Sequence, residues 1–319
     1  MAEVDKEFKF IKKGKYDVSN KIFLDLVFNN NCNYSCPFCI ARTNTYSEDN
    51  YDKWRKSFSK TIDIFGNEID SLIILGGEAT IDKRFFDRLS FIDEVTGGKH
   101  IFTILTTNGY KLQSDSFLDK VGNSSIDSFN ISMMNHDPLI NKLLMGDTID
   151  IDSLRHIYEV IKEYGKTIRL NTNVAKNNLN SLKEIEDYIR YFKGCQDAIK
   201  FTPLMETDMF DTVSGVLKYT KENALSKEEI KVLFDSLARK YKSSKHNDKV
   251  FGLINYGEVD ALGSHIILKY EQVEDMYDLD RVIPTLKLYP NGNLSNEWNH
   301  KKNILDDFSS NKVYEFKSR

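Results

Sequence analysis

Cysteine is scarce in this chain. There are four among 319 residues, and three of them, Cys32, Cys36 and Cys39, fall within eight positions. So few cysteines in so long a chain exclude a disulfide framework, which small secreted cores need and large ones do not. An excess of one charge is missing as well. Lys and Arg number 44 against 48 Asp and Glu, a net charge of −4, which excludes the strongly basic footprint of a nucleic-acid-binding chain. No apolar run approaches the ~20 residues of a membrane span. The opening residues Met1 to Lys6 carry no apolar stretch of the secretory type. With unpaired thiols, these absences predict a cytoplasmic location. Internal repeats and low-complexity segments are also absent.

What is present is alternation. After weak strand character around Phe8 to Ile11, Lys21 to Phe28 forms a first buried strand rich in branched and aromatic residues. Further strands follow at Ser71 to Leu75, His100 to Thr107, Ser128 to Met133, Thr167 to Val174 and Ala198 to Leu204. Between them lie helical patterns. One carries Trp54, Phe58, Ile62 and Phe65; another carries Phe85, Phe86, Leu89, Ile92 and Val95 and closes at Gly97-Gly98. A third, from Asp152, carries Leu154, Ile157 and Ile161, and a fourth is opened by the capping box Ser181 and Glu184. Six strands alternating with helices predict an α/β fold on a parallel sheet with right-handed crossovers, open or curled into a partial barrel.

The cysteine loop follows the first strand directly, beyond its C-terminal end, where α/β barrels place their chemistry. Three thiolates hold three corners of an iron–sulfur cluster and leave one iron of a four-iron cubane open to another ligand. Zinc is the alternative. Structural zinc takes four ligands, and all six histidines stand more than sixty residues away. Gly76-Gly77-Glu78 ends the second strand; by itself it is an ordinary glycine turn, and equally a place where backbone approaches a ligand closely. Thr106, Asn108 and Ser132 place small polar side chains at the ends of the third and fourth strands. Turn chemistry accounts for Asn108-Gly109, and ordinary strand polarity for Ser132. Cys195 is expected to be a small core residue. His136 and Asp137 are equally loop residues or substrate-side groups.

The spacing Cys32-x3-Cys36-x2-Cys39, with Phe38 before the last cysteine, resembles the radical S-adenosylmethionine superfamily. Within it, the sequence looks most like the subgroup of the molybdopterin GTP 3′,8-cyclase and the maturases with cysteine-rich tails. The likeness covers about residues 21 to 206 and implies a partial (βα)6 TIM-like barrel. It implies a [4Fe-4S] cluster on Cys32, Cys36 and Cys39, with S-adenosyl-L-methionine on the open iron. By the same likeness Gly76 and Gly77 flank the methionine moiety and Glu78 receives its amino group. Ser132 and Asn171, or Arg169 beside it, meet the ribose or carboxylate, Thr106 and Asn108 are rim contacts, and Phe38, Leu204 and Met205 pack near the adenine. A reductant such as flavodoxin or ferredoxin is implied as partner, and no nucleic acid or membrane.

The resemblance leaves the substrate open: a peptide or peptidyl group first, then a small metabolite or nucleotide, then a glycyl-radical protein, for which Ala79 after Glu78 is a familiar variation. The rival from another class is a non-catalytic iron–sulfur or zinc barrel. Residues 207 to 319 are expected to form a C-terminal α+β extension that covers the 1 to 206 core. A second capping box, Ser226 and Glu229, opens a helix to Tyr241, and strand-like runs follow at Val250 to Ile254, His265 to Tyr270 and Thr285 to Leu288. Asn291-Gly292 signals a hairpin anchored by Leu286, Leu288, Leu294 and Trp298. Ser295 and Asn296 stand where the maturases carry a cluster cysteine, so no auxiliary cluster is expected.

Overall fold

The computed structural model describes residues 10–39, 41, 49–97, 99–204, 214–242, 248–250, 253–271 and 282–308. Phe8, Lys9, Gly98, Met205 and the boundary at residues 206 and 207 lie outside them, as does part of the run from Val250 to Ile254. Six strands run parallel and neighbour one another in chain order: β2 (Tyr16–Val27), β3 (Ile69–Leu75), β4 (Phe102–Thr107), β5 (Ser128–Ser132), β6 (Thr167–Val174) and β7 (Ala198–Pro203). β1 (Phe10–Lys13) pairs with β2 antiparallel.

Strict alternation along each strand gives the sheet two faces. Leu24, Leu26, Leu72, Ile74, Leu105, Phe129, Ile131, Ile168, Leu170, Ile199 and Phe201 are all buried in the main core cluster. They meet the apolar stripes of α1 (Tyr51–Phe65), α2 (Phe85–Thr96), α5 (Ile151–Glu163) and α6 (Leu182–Tyr191). Each such side chain contributes roughly 1.5–3 kcal/mol of burial. The other face carries Asp25, Thr106, Asn130, Arg169, Asn171 and Lys200, and it is the concave one by barrel geometry.

The capping box at Ser181 and Glu184 is formed, and so is the one at Ser226 and Glu229 that opens α8 (Lys227–Lys240). Three short helices carry no strong sequence signal: α3 (Asp115–Gly122), α4 (Pro138–Met145) and α7 (Ser214–Asn223). α4 starts on the Asp137 side chain, which accepts from Leu139 N and Ile140 N, with Pro138 in the first turn.

The C-terminal strands extend both edges of the sheet. β11 (Val282–Leu288) runs parallel beside β2, and β12 (Leu294–Ser295) pairs antiparallel with β11. At the opposite edge β10 (Ser264–Glu271) runs parallel beside β7, followed by β9 (Leu253–Ala261) and β8 (Asp248–Val250). Among the described residues no pairing joins the two edges, so the barrel is open.

The hairpin is present with a longer turn than Asn-Gly alone predicts. Leu288 faces Leu294, so five residues, Tyr289 to Asn293, make the turn, and only Gly292 takes a positive φ, of 77°. Ser57 Oγ donates to Gly292 O at 2.6 Å and Lys53 Nζ to Asn293 Oδ1 at 2.8 Å, which fixes the turn to α1. Leu286, Leu288 and Leu294 are buried as expected. Trp298 is only half-buried and its ring lies under Lys287 Nζ, 4.7 Å from the centroid. The expected apolar anchor is thus a half-exposed ring against a cation that also pairs with Asp25 (Nζ–Oδ2 3.3 Å).

Candidate active site

The lead-in from β2 to the cysteine loop is held by backbone. Gly77 N donates to Asn29 O at 3.0 Å and Glu78 N to Asn31 O at 2.8 Å, while Asn29 Nδ2 donates to Glu78 O at 2.8 Å. A Cβ on Gly76 would lie 2.5 Å from Asn29 O, and one on Gly77 would sit well inside contact with Asn31 O. Both glycines are therefore needed for this loop-to-loop approach, whatever else they touch.

The far side of the loop rests on α4. Ser35 N donates to Met145 O at 3.0 Å, and Cys36 Sγ to the same oxygen at 3.6 Å. Tyr34, Met134, Leu144 and Met145 form a small separate core against which Cys36 and Phe38 pack. Phe38 also meets Tyr219 of α7 at 6.2 Å between ring centroids, and Asn177 Nδ2 donates to Tyr219 OH at 2.8 Å. A tail helix thus stands at the rim beside the cysteine loop.

None of the four cysteines is in a disulfide. Cys195 is fully buried in the main core, in keeping with a packing role. Cys32 Sγ accepts from Tyr34 N at 3.3 Å and from Asn108 Nδ2 at 3.8 Å. Burial pushes the Cys32 thiol up, and the two N–H donors oppose that. Such donors suit an anionic sulfur, the form a thiol takes as a metal ligand. Among the described residues no three Cys, His, Asp or Glu side chains already form a metal-binding group. The fit to a cluster is one of soft donors and their placement: three thiols on one rim loop, with N–H groups aimed at one sulfur.

Glu78 is 2 % exposed and fully engaged. Its Oε1 accepts from Thr80 N (3.1 Å), Thr80 Oγ1 (2.6 Å) and Thr107 Oγ1 (2.7 Å), and its Oε2 from Asn108 N (2.6 Å). Burial raises its pKa while these four donors pull it down. The carboxylate therefore already joins the ends of β3 and β4.

On the concave face, Thr106, Asn130 and Arg169 stand in register across β4, β5 and β6, and Ser132, Asn171 and Lys200 across β5, β6 and β7. Asn130 Nδ2 donates to Thr106 Oγ1 at 3.3 Å and Arg169 Nε to Asn171 Oδ1 at 3.0 Å. Ser132 at the end of β5 and Asn171 in the middle of β6 are half-buried, and Leu204 is buried just past β7, its N–H on Val174 O at 2.8 Å. Strands β4 to β7 carry no Asp or Glu. Among the described residues no acid pairs with Arg169, whose pKa burial lowers.

The structure therefore joins Cys32, Gly76, Gly77, Glu78 and Asn108 in one bonded unit, and sets Thr106, Ser132 and Asn171 on the adjoining face. Sequence reasoning missed Thr80 and Thr107 as the hydroxyls that hold Glu78, Asn33 as a partner of Asn108, and Tyr219. Only Thr107 had a legible signal, its place beside Asn108; Tyr219 comes from a distant part of the chain.

Comparison with known proteins bears on the family and the fold. A sequence profile described as the Radical SAM superfamily matches residues 26–191, just over half of the chain. A probable GTP 3′,8-cyclase from Methanococcus aeolicus is 25% identical over 186 residues, covering 58% of this chain and 58% of that protein. An S-adenosylmethionine-dependent nucleotide dehydratase from Flammeovirga pacifica is 27% identical over 175 residues, covering 50% of this chain and 54% of that one. The chain thus spans little more than half the length of these relatives. Among solved structures, Streptococcus suis SuiB bound to S-adenosylmethionine superposes with a TM-score of 0.59 at 17% identity, over 93% of this chain and 68% of SuiB. That likeness is one of fold, and it extends into the C-terminal strands. The three-cysteine rim loop, the open parallel barrel and the profile match place this chain in the radical SAM superfamily.

Proposed function

We propose that this chain is a radical SAM enzyme whose substrate presents an anionic group to Arg169 on the concave face. Cys32, Cys36 and Cys39 would hold a [4Fe-4S] cluster, and Ser132, Asn171 and Thr106 would meet the polar parts of S-adenosylmethionine, with Phe38 and Leu204 beside its adenine. When bound, the cluster and S-adenosylmethionine supply a 5′-deoxyadenosyl radical for hydrogen abstraction, the electron coming from a donor such as flavodoxin or ferredoxin. The chain positions the reacting carbon and excludes water; positioning decides which hydrogen is taken.

The observation that carries the reading is a loop beyond the C-terminal end of β2 that bears three cysteines outside any disulfide, with Cys32 hydrogen-bonded through Asn108 to the Glu78 turn. Arg169 supports the substrate class. Its Nε donates to Asn171 Oδ1, and among the described residues no hydrogen bond or ion pair engages its two terminal nitrogens. A guanidinium so placed matches a carboxylate or phosphate through two parallel hydrogen bonds.

Both a peptide and a small metabolite offer such a group. The curated relatives are named for nucleotide chemistry, and SuiB has been solved with its precursor peptide. The test is formation of 5′-deoxyadenosine by the anaerobically reconstituted, dithionite-reduced protein. Slow formation without substrate, abolished in Cys36→Ala, is expected. Stimulation by a metabolite fraction or by a peptide fraction of cell extract separates the two sources. No deoxyadenosine under any of these conditions overturns the reading.

A further inference from the structure

The Asn108 side chain is oriented by three hydrogen bonds. Its Oδ1 accepts from Tyr110 N at 3.0 Å, which fixes the amide the other way round toward the cysteine loop. Its Nδ2 then donates to Asn33 Oδ1 at 2.9 Å and to Cys32 Sγ at 3.8 Å. From below, its backbone N–H is held by Glu78 Oε2 at 2.6 Å. The following residue, Gly109, has φ 78° and donates to Thr107 Oγ1 at 3.0 Å, and a Cβ there would collide with Ile149 Cδ1. Asn108 is 7 % exposed. The amide is thus carried on a rigid turn and anchored to a buried carboxylate, and its free donor faces one sulfur.

We propose that Asn108 is a positioning residue for the cluster: held by Glu78, its amide donates to the Cys32 sulfur and raises the potential at which the cluster accepts an electron. This rests on the cluster reading above and goes beyond it, because contact with the cofactor rim does not require a bond to sulfur. Reduction adds one electron, from a low-potential carrier of the flavodoxin or ferredoxin class, and makes or breaks no covalent bond. The added charge spreads onto the sulfurs, so an N–H donor at sulfur favours the reduced form over the oxidised one. Tyr34 N, the second donor to Cys32, belongs to the backbone and stays in place in every side-chain variant.

The test is a redox titration of reconstituted wild type, Asn108→Ala and Asn108→Asp, followed by the electron paramagnetic resonance signal of the reduced cluster. The midpoint is expected to fall in Asn108→Ala, which loses the donor, and to fall further in Asn108→Asp, which places an acceptor there while keeping an oxygen for Tyr110 N. A merely structural role would change iron content and leave the midpoint of the loaded fraction where it was. Unchanged midpoints in the loaded variants overturn the proposal. So does failure of both variants to take up iron, which makes Asn108 a requirement of the loop rather than a tuner. A wild-type protein that takes up no iron fails the cluster reading instead.

Discussion

Glu78 Oε2 accepts the backbone N–H of Asn108 at 2.6 Å, across the ends of two neighbouring parallel strands. The bond makes the Gly-Gly-Glu turn and the Thr-Asn-Gly turn one body, and the cysteine loop is attached to that body at Asn29, Asn31 and Cys32. The resemblance gave Glu78 to the cofactor's amino group; its oxygens here already serve four protein donors.

Glu78→Gln is therefore expected to act on the protein as well as on the cofactor. Either orientation of the amide sets an N–H₂ group against N–H or hydroxyl donors. Losing a hydrogen bond to a buried charged group costs roughly 1.5–3 kcal/mol. Urea unfolding checks this; a variant as stable as wild type, with altered cofactor affinity alone, returns Glu78 to a purely cofactor-facing role.

The pH dependence has a definite sign. Burial raises the Glu78 pKa above its ordinary value of 4.5. Between that value and the raised one, the unfolded chain has lost the proton that the folded chain keeps. Stability therefore falls as pH rises through this window. The Glu78→Gln variant removes this component, so the stability difference between wild type and variant should narrow as pH rises from 4.5. Parallel urea midpoints across that range contradict the assignment.

Arg169→Ala is expected to leave iron uptake intact and to raise the substrate KM about ten- to a hundredfold, the equivalent of roughly 1.5–3 kcal/mol for a charge-assisted bond. Arg169→Lys should restore part of that, since a lysine supplies the charge without the planar fork. Equal KM values for wild type and Arg169→Ala remove this residue from the substrate site.

In the hairpin, Leu294→Ala should cost ~2–5 kcal/mol, because that side chain is fully buried. Trp298→Ala should cost less, since its ring is half-exposed and meets a lysine. Gly292→Ala meets both the positive φ, a penalty of about 1–2 kcal/mol, and Lys53, whose backbone carbon would lie 2.8 Å from the new Cβ. Hydrogen exchange across residues 285 to 294 orders the three; the largest loss of protection in Trp298→Ala contradicts this ranking.

The longer helices were legible because each shows its period over several turns, as in Ile151 to Glu163, and the six parallel strands because each is a compact apolar run between turn signals, as in Thr167 to Val174. The cysteine loop was legible because three scarce residues fall in one short stretch. The route of the tail was not. β10 and β11 join opposite edges of the sheet, and nothing local in His265 to Tyr270 or Thr285 to Leu288 says which strand each will pair with. Trp298 was misjudged for a similar reason: aromatic character predicts burial, while the Lys287 side chain that meets the ring is set by pairing with Asp25 of β2, 262 residues away from that lysine in sequence. Glu78 shows the limit at the site itself. Its place in the motif was visible, but the hydroxyls of Thr80 and Thr107 that engage it become neighbours only when β3 and β4 align.

The most direct test of the central claim is iron and sulfide analysis of the anaerobically reconstituted protein, with electron paramagnetic resonance of the reduced state before and after addition of S-adenosylmethionine. About four irons per chain are expected, as a three-thiolate cubane requires, with a signal that changes on addition of S-adenosylmethionine. Cys32→Ala, Cys36→Ala and Cys39→Ala should each lose it, and Cys195→Ala should retain it. Zinc without iron in the wild type, or loss of half the iron in Cys195→Ala, would contradict a single cluster held by the rim loop.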